Sequence, residues 1–214
     1  MSRDYLPNKV VKIAKQRWWR QAGSGIGGIV LGEEGAYAQN GMVSFTFKPR
    51  KFASVVAYLA ARRPGITKKV LCKIIYFADK EHLLRYGRPI TGDHYYALEQ
   101  GPVPTRGLDA INAKNKHPED DAAVAQYGRL RGWTFEWNGQ PPDLKALSKS
   151  DIKVLDEVFG RIGHLPAWEL EGLSHREAAW ARAVQNGPMD FALFFEDAPD
   201  AERMKEILLE ENAA

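Results

Sequence analysis

The chain has 214 residues, 44% of them hydrophobic and 27% charged, with a net charge of +3, five histidines and a single cysteine. A chain of that length buries a real core as one domain, or as one domain with an appendage. No apolar run approaches the roughly 18 residues that span a bilayer, the first residues lack the apolar core of a secretory signal, and Cys72 alone cannot close an internal disulfide, so a cytoplasmic protein away from membranes is expected.

Charge is unevenly placed. Residues 1–20 hold Arg3, Lys9, Lys12, Lys15, Arg17 and Arg20 against Asp4, whereas the stretch from Asp190 to Glu211 is predominantly acidic. A basic start carrying Trp18-Trp19 could meet nucleic acid, an acidic partner or a membrane surface. One short basic run without a nucleic-acid-binding motif reads as a solvated leader instead, so nucleic acid is not expected as a partner. Gly23-Ser24-Gly25-Ile26-Gly27-Gly28 fits G-x-G-x-x-G on paper. The dinucleotide mechanism needs a strand before the first glycine and an acidic residue about twenty positions on. Neither is present, and the segment reads as a flexible linker. A composition boundary near Gly41-Met42 then separates a basic, glycine-rich extension over 1–41 from a domain over 42–214.

Residues 50–62 place Phe52, Val55, Val56, Leu59 and Ala60 on one helical face and stop at Pro64-Gly65. The next helix opens at Thr67, buries Leu71, Ile74, Ile75 and Ala78, and is capped by Gly87. Residues 93–99 favour a strand, and Pro102 to Asn115 a short helix with a proline-rich entry. Residues 124–137 alternate as a hairpin ought to, with Trp133–Trp137 leading into an Asn138-Gly139 turn. Helical spacing returns from Ser148, with Ile152, Leu155, Val158, Phe159 and Ile162 inward and Gly163 as the stop; Pro166 to Leu173 gives a short helix. Ser174-His175-Arg176-Glu177 matches a capping box, which predicts a helix beginning there and ending at Asn186-Gly187-Pro188. A last amphipathic helix is expected from Ala201 to Glu211. The pattern predicts a mainly α (α+β) domain, compact and helical, with a small antiparallel β-hairpin.

No catalytic set assembles from these residues. His82, His94, His117, His164 and His175 lack the short spacings of zinc sites, and no metal or other cofactor is expected. Cys72 falls mid-helix in an apolar pattern and reads as a buried, inert thiol. His82 sits on the apolar face of its helix as a core-edge histidine bonded to backbone. Asp79 and Glu81 point to different faces, and there is no Gly-x-Ser-x-Gly elbow, so an enzyme is not expected.

Three blocks follow one another in a distinctive order: Tyr76-Phe77-Ala78-Asp79 through Tyr86-Gly87-Arg88-Pro89-Ile90-Thr91-Gly92, then Tyr96 through Gly101-Pro102-Val103-Pro104, then Leu173-Ser174-His175-Arg176-Glu177 with Ala179-Trp180. This order resembles the Panacea domain, the antitoxin domain of the SocA-like family, over about residues 50–195. The resemblance implies direct binding of a cognate toxin encoded beside the antitoxin, and in SocA-like members an adaptor role that hands the toxin to the ClpXP protease as a second partner. Within the blocks, Tyr76, Tyr86, Tyr95, Tyr96 and Trp180 have the large, low-entropy side chains of interface anchors, and Arg85 and Arg88 can pair with acidic groups. These seven are the expected partner-binding residues. The alternative from another class is a DNA-binding transcriptional regulator using the basic N-terminus.

Overall fold

The computed structural model describes residues 43–196 and 198–206. The expected extension over 1–41, and the end of the helix expected to reach Glu211, lie outside them. Residues 43–48 form no regular element; Lys48 is extended, and its amide donates to the Thr91 carbonyl at 2.9 Å. Helix α1 (Pro49–Arg62) then starts on a proline, whose fixed φ suits a first helical position. Phe52, Val55, Val56, Leu59 and Ala60 are all buried along it, as the spacing predicts.

Helix α2 (Lys68–Tyr86) is framed as the sequence requires. The Thr67 hydroxyl accepts the Val70 amide at its start, and Gly87 takes the left-handed conformation at its end, with φ 70°. It departs from an amphipathic helix in one respect. Lys68, Lys73, Asp79, Lys80 and His82 are buried together with the apolar stripe. The cause is position: neighbours pack on α2 from several sides, including the hairpin and helices introduced next. Each buried polar group therefore needs an internal partner.

Strand β1 (Tyr95–Leu98) pairs antiparallel with β2 (Gly101–Pro104), Tyr95 opposite Pro104 and Leu98 opposite Gly101. The first strand was expected and the second was not, because its prolines read as a helix entry. Prolines fit here because β2 is an edge: the opposite side of β1 is met by residues 186–189, with the Ala97 amide on Gly187 and the Met189 amide on Tyr95. Helix α3 (Thr105–Ile111), helix α4 (Pro118–Ala125) and a second hairpin of β3 (Gly128–Arg131) with β4 (Thr134–Trp137) follow. The second hairpin is the expected one, but its turn is Gly132-Trp133, and Asn138-Gly139 comes after β4. Its register, Arg131 opposite Thr134, leaves only those two residues for the turn.

Helix α5 (Lys149–Ile162) carries a true capping box: the Ser148 hydroxyl accepts the Asp151 amide at 3.1 Å and the Asp151 carboxylate accepts the Ser148 amide at 2.8 Å. The box expected at Ser174 is not formed. Ser174 is the last residue of α6 (Ala167–Ser174), and its hydroxyl donates back to the Glu171 carbonyl at 2.9 Å. Glu177 instead sits at the N-cap of the one-turn helix α7 (Ala178–Ala181) without capping it, because its carboxylate takes the Lys80 ammonium. A 3-10 turn over Phe191–Phe195 and a helical stretch over 201–206 end the described chain.

Among the described residues the architecture is mainly α with two small antiparallel two-stranded sheets. A larger core joins α1, α2, α4 and α5; a smaller one gathers Tyr76, Leu83, Tyr95, Met189, Phe191, Phe194 and Phe195.

Candidate partner-binding surface

The polar groups buried around α2 form the frame on which any surface is built. Asp79 is wholly buried and accepts from the Ile90 and Thr91 amides at 2.9 Å each, from the Tyr95 hydroxyl at 2.8 Å and from the Thr91 hydroxyl. Burial still raises its carboxyl above the usual range, against the pull of those four bonds. One residue thereby fixes the turn after α2 and the start of β1. Asp93, also buried, accepts the Gly107 amide at 2.6 Å and the Arg106 amide at 3.1 Å, and burial pushes it up to about 7.

Lys73 donates to the Pro102 carbonyl at 2.9 Å beneath the first hairpin, and burial pushes its ammonium down to about 7. Gly101, at φ 94°, lies directly over it; a Cβ there would collide with Lys73 Nζ and Ser174 Oγ. His82 is bonded to the Arg88 carbonyl through Nδ1 at 2.7 Å, the backbone-bonded role expected of it, and faces Ser150 and Asp151 through Nε2. Asp151 is held well below the usual carboxylate range: burial works to raise it, but the bonds from His82, Lys51 and the Ser148 amide outweigh that.

The seven residues named from the sequence separate into groups in this setting. Tyr76 and Tyr95 are fully buried, their ring centroids 5.3 Å apart in the smaller core, and Tyr96 is buried as well. None of these three offers a side chain to a partner in this conformation. Hydrophobic spacing could not separate them from surface aromatics, since most of α2 short of its last turn, and all of β1, is buried. Trp180 is half-buried, donates Nε1–H to the Leu98 carbonyl at 2.9 Å and stacks on His175 with centroids 4.0 Å apart. Arg85 bonds Glu81 and Glu157, Arg88 reaches Ser148 and Asp151, and Tyr86 is 44% exposed with its ring 4.6 Å from His82. Only these last three, at the C-terminal end of α2, reach solvent together.

Two places among the described residues bear on nucleophilic and metal chemistry. The Cys72 thiol is enclosed and burial pushes it up to about 12, which keeps it protonated and unreactive. His117, Glu119 and Asp120 bring ligand atoms within 4.8 Å of one another. Arg106 already bonds both carboxylates there, Glu119 at 3.2 Å and Asp120 at 2.5 Å, so its guanidinium fills the cationic position.

The model of the family described as antitoxin SocA-like, Panacea domain, matches residues 71–181. The chain belongs to this family. No curated protein and no solved structure matches it. The Panacea match begins within α2 and ends with α7, so it takes in both hairpins, the Asp79 and Lys73 networks and the Lys80–Glu177 pair. It leaves out α1, which nevertheless supplies much of the larger core.

Sequence reasoning passed over one feature inside the matched span. Trp168 is 71% exposed on α6, whose inward side is Leu170, Glu171 and Ser174. With Leu165, Glu169, Gly172, Leu173 and Arg176 it lines a surface hollow of about 280 Å³. The available signal was a tryptophan on the outward side of a short helix, which a search for buried stripes does not count.

Proposed function

We propose that this SocA-like chain is an antitoxin that neutralises its cognate toxin by binding it directly, and that it acts as an adaptor delivering the toxin to the ClpXP protease. It does so in the cytoplasm, without catalysis and without a cofactor. The observation that carries the reading is the Panacea-domain match over 71–181. The chemistry around α2 is consistent with it: the buried acids and cations there are engaged in holding the fold, and no helix among the described residues is long and apolar enough to cross a membrane.

The test is co-expression with the toxin encoded beside it. Growth should be rescued, the two proteins should co-purify, and the toxin's half-life should shorten only where ClpXP is active. A toxin that stays long-lived yet harmless in the complex would leave masking as the mechanism and remove the adaptor role; no complex and no rescue would remove the antitoxin reading itself. The six cations within residues 1–20 favour a second reading, a DNA-binding regulator. It requires tight operator binding at physiological salt, whereas a solvated leader gives only weak binding that falls steeply as salt rises.

A further inference from the structure

We infer that the hollow on the outer side of α6 is where the toxin docks, and that it takes a segment presenting an apolar side chain with a carboxylate towards Arg176 and a cationic or amide group towards Glu169. The inference rests on the antitoxin reading and names the surface that reading leaves open. Three features of the hollow point the same way.

The first is composition. Trp168 stands 71% exposed beside Leu165 and Leu173, with Arg176 at the rim. Tryptophan and arginine are among the side chains that most often dominate interface energies, tryptophan because it buries a large area on two torsions and arginine because its planar guanidinium offers five donors. An isolated tryptophan gains nothing by standing in water, and burying the remainder of its ring is the largest apolar gain open to this face.

The second is Gly172. A glycine inside a helix is less favourable than any residue except proline, by up to about 1 kcal/mol relative to alanine. Some helix glycines are explained by a close neighbour, but a Cβ at Gly172 would meet nothing within 4 Å. The space it leaves empty belongs to the hollow. Gly160 in α5 is equally open, so openness alone marks no site; what sets Gly172 apart is that the room it leaves lies in the hollow beside Trp168.

The third is charge. Glu169 and Arg176 flank the hollow with opposite signs, and neither makes an ion pair among the described residues. A bipolar rim orients what binds between its ends and suppresses the reversed register. A volume of about 280 Å³ lies just under the range of ordinary small-molecule pockets, about 300–1,000 Å³. It suits one or two side chains of a protein partner, and the mixed rim does not suit the continuous negative charge of nucleic acid.

The experiment measures binding of the full-length chain to its cognate toxin by titration calorimetry, with thermal melts of each variant alone. Trp168→Ala and Arg176→Glu should each weaken binding by about tenfold or more while leaving the melting temperature of the free protein within about 2 °C. Gly172→Leu should raise or preserve that temperature, since leucine favours the helix, yet weaken binding comparably by filling the hollow. Tight wild-type binding with all three variants unimpaired would place the toxin elsewhere on the protein and overturn this inference while leaving the antitoxin reading intact. A wild-type protein that does not bind the toxin at all would overturn that reading, and this inference with it.

Discussion

Replacing Lys73 by methionine should stabilise the protein in mild acid and destabilise it in base. The side chain is wholly buried, with its Nζ 2.9 Å from the Pro102 carbonyl. Burial is the main force lowering it from 10.5 to about 7; Lys69 adds to that, while Cys72 and Glu171 oppose it. Below about pH 7 the ammonium is charged in both the folded and unfolded chain, and the folded chain carries the cost of a buried cation. Between about 7 and 10.5 the unfolded chain still holds a proton that the folded chain has released, so the stability of the wild type rises with pH across that interval. At about 1.4 kcal/mol per pH unit the rise amounts to about 5 kcal/mol.

Methionine fills a similar volume and titrates nothing, but leaves the Pro102 carbonyl without its donor, a loss of about 1–3 kcal/mol at every pH. The variant should therefore be about 2–4 kcal/mol more stable than the wild type near pH 6 and about 0–2 kcal/mol less stable near pH 10, crossing over between them. Urea unfolding of both proteins across that range reads this directly, and the difference between the two curves removes every titration they share. Parallel curves, with the variant uniformly better or uniformly worse, would mean that Lys73 stays charged in the folded chain and that the buried-amine reasoning is wrong.

Asp79→Ala should lower stability by about 4 kcal/mol, since it orphans two amides and two hydroxyls, whereas Asp79→Asn, which keeps one acceptor and lets the Thr91 and Tyr95 hydroxyls reverse, should cost about 1–2 kcal/mol in the same urea assay. Equal losses would show that the acceptor geometry is not what matters at this position. Deleting residues 1–41 should leave toxin neutralisation intact in a growth-rescue assay; loss of rescue would make the basic stretch part of the toxin-binding unit.

How much of this could be read from the sequence depended on whether a residue's role was local. The stripe Phe52, Val55, Val56, Leu59, Ala60 and the Thr67 and Gly87 ends of α2 follow from periodicity and capping, which involve neighbours along the chain, and all are found. Strand β2 was hidden because Pro102 and Pro104 argue against a strand until it is known to be an edge. Ser174 to Glu177 satisfies the letter of a capping box, yet the nearby requirement of Lys80 for a carboxylate decides where Glu177 points. The placement of Tyr76 and Tyr95 was equally non-local: one face of α2 looks amphipathic, and only the assembled fold shows that the other faces are covered too.

That same enclosure bears on where an antitoxin of this family can meet its target. The blocks that mark the chain as a Panacea domain are largely interior: Tyr76, Asp79, Ile90 and Thr91 in the first, Tyr96, Pro102 and Val103 in the second, Ser174 and Ala179 in the third, where the half-buried Glu177 is bound to Lys80. Residues that hold the frame are already satisfied by it, and a partner gains little by competing for them. Arg85 illustrates the point at the surface: to reach a toxin it would give up Glu81 and Glu157, and an exposed ion pair exchanged for another contributes about 0–1 kcal/mol. Trp168 gives up nothing, having most of its surface in water. Covering a large apolar side chain is worth about 1.5–3 kcal/mol. On these magnitudes the proposed docking draws its energy mainly from Trp168 on the outer side of α6, with Leu173 and Arg176 the members of the third block that line the same hollow.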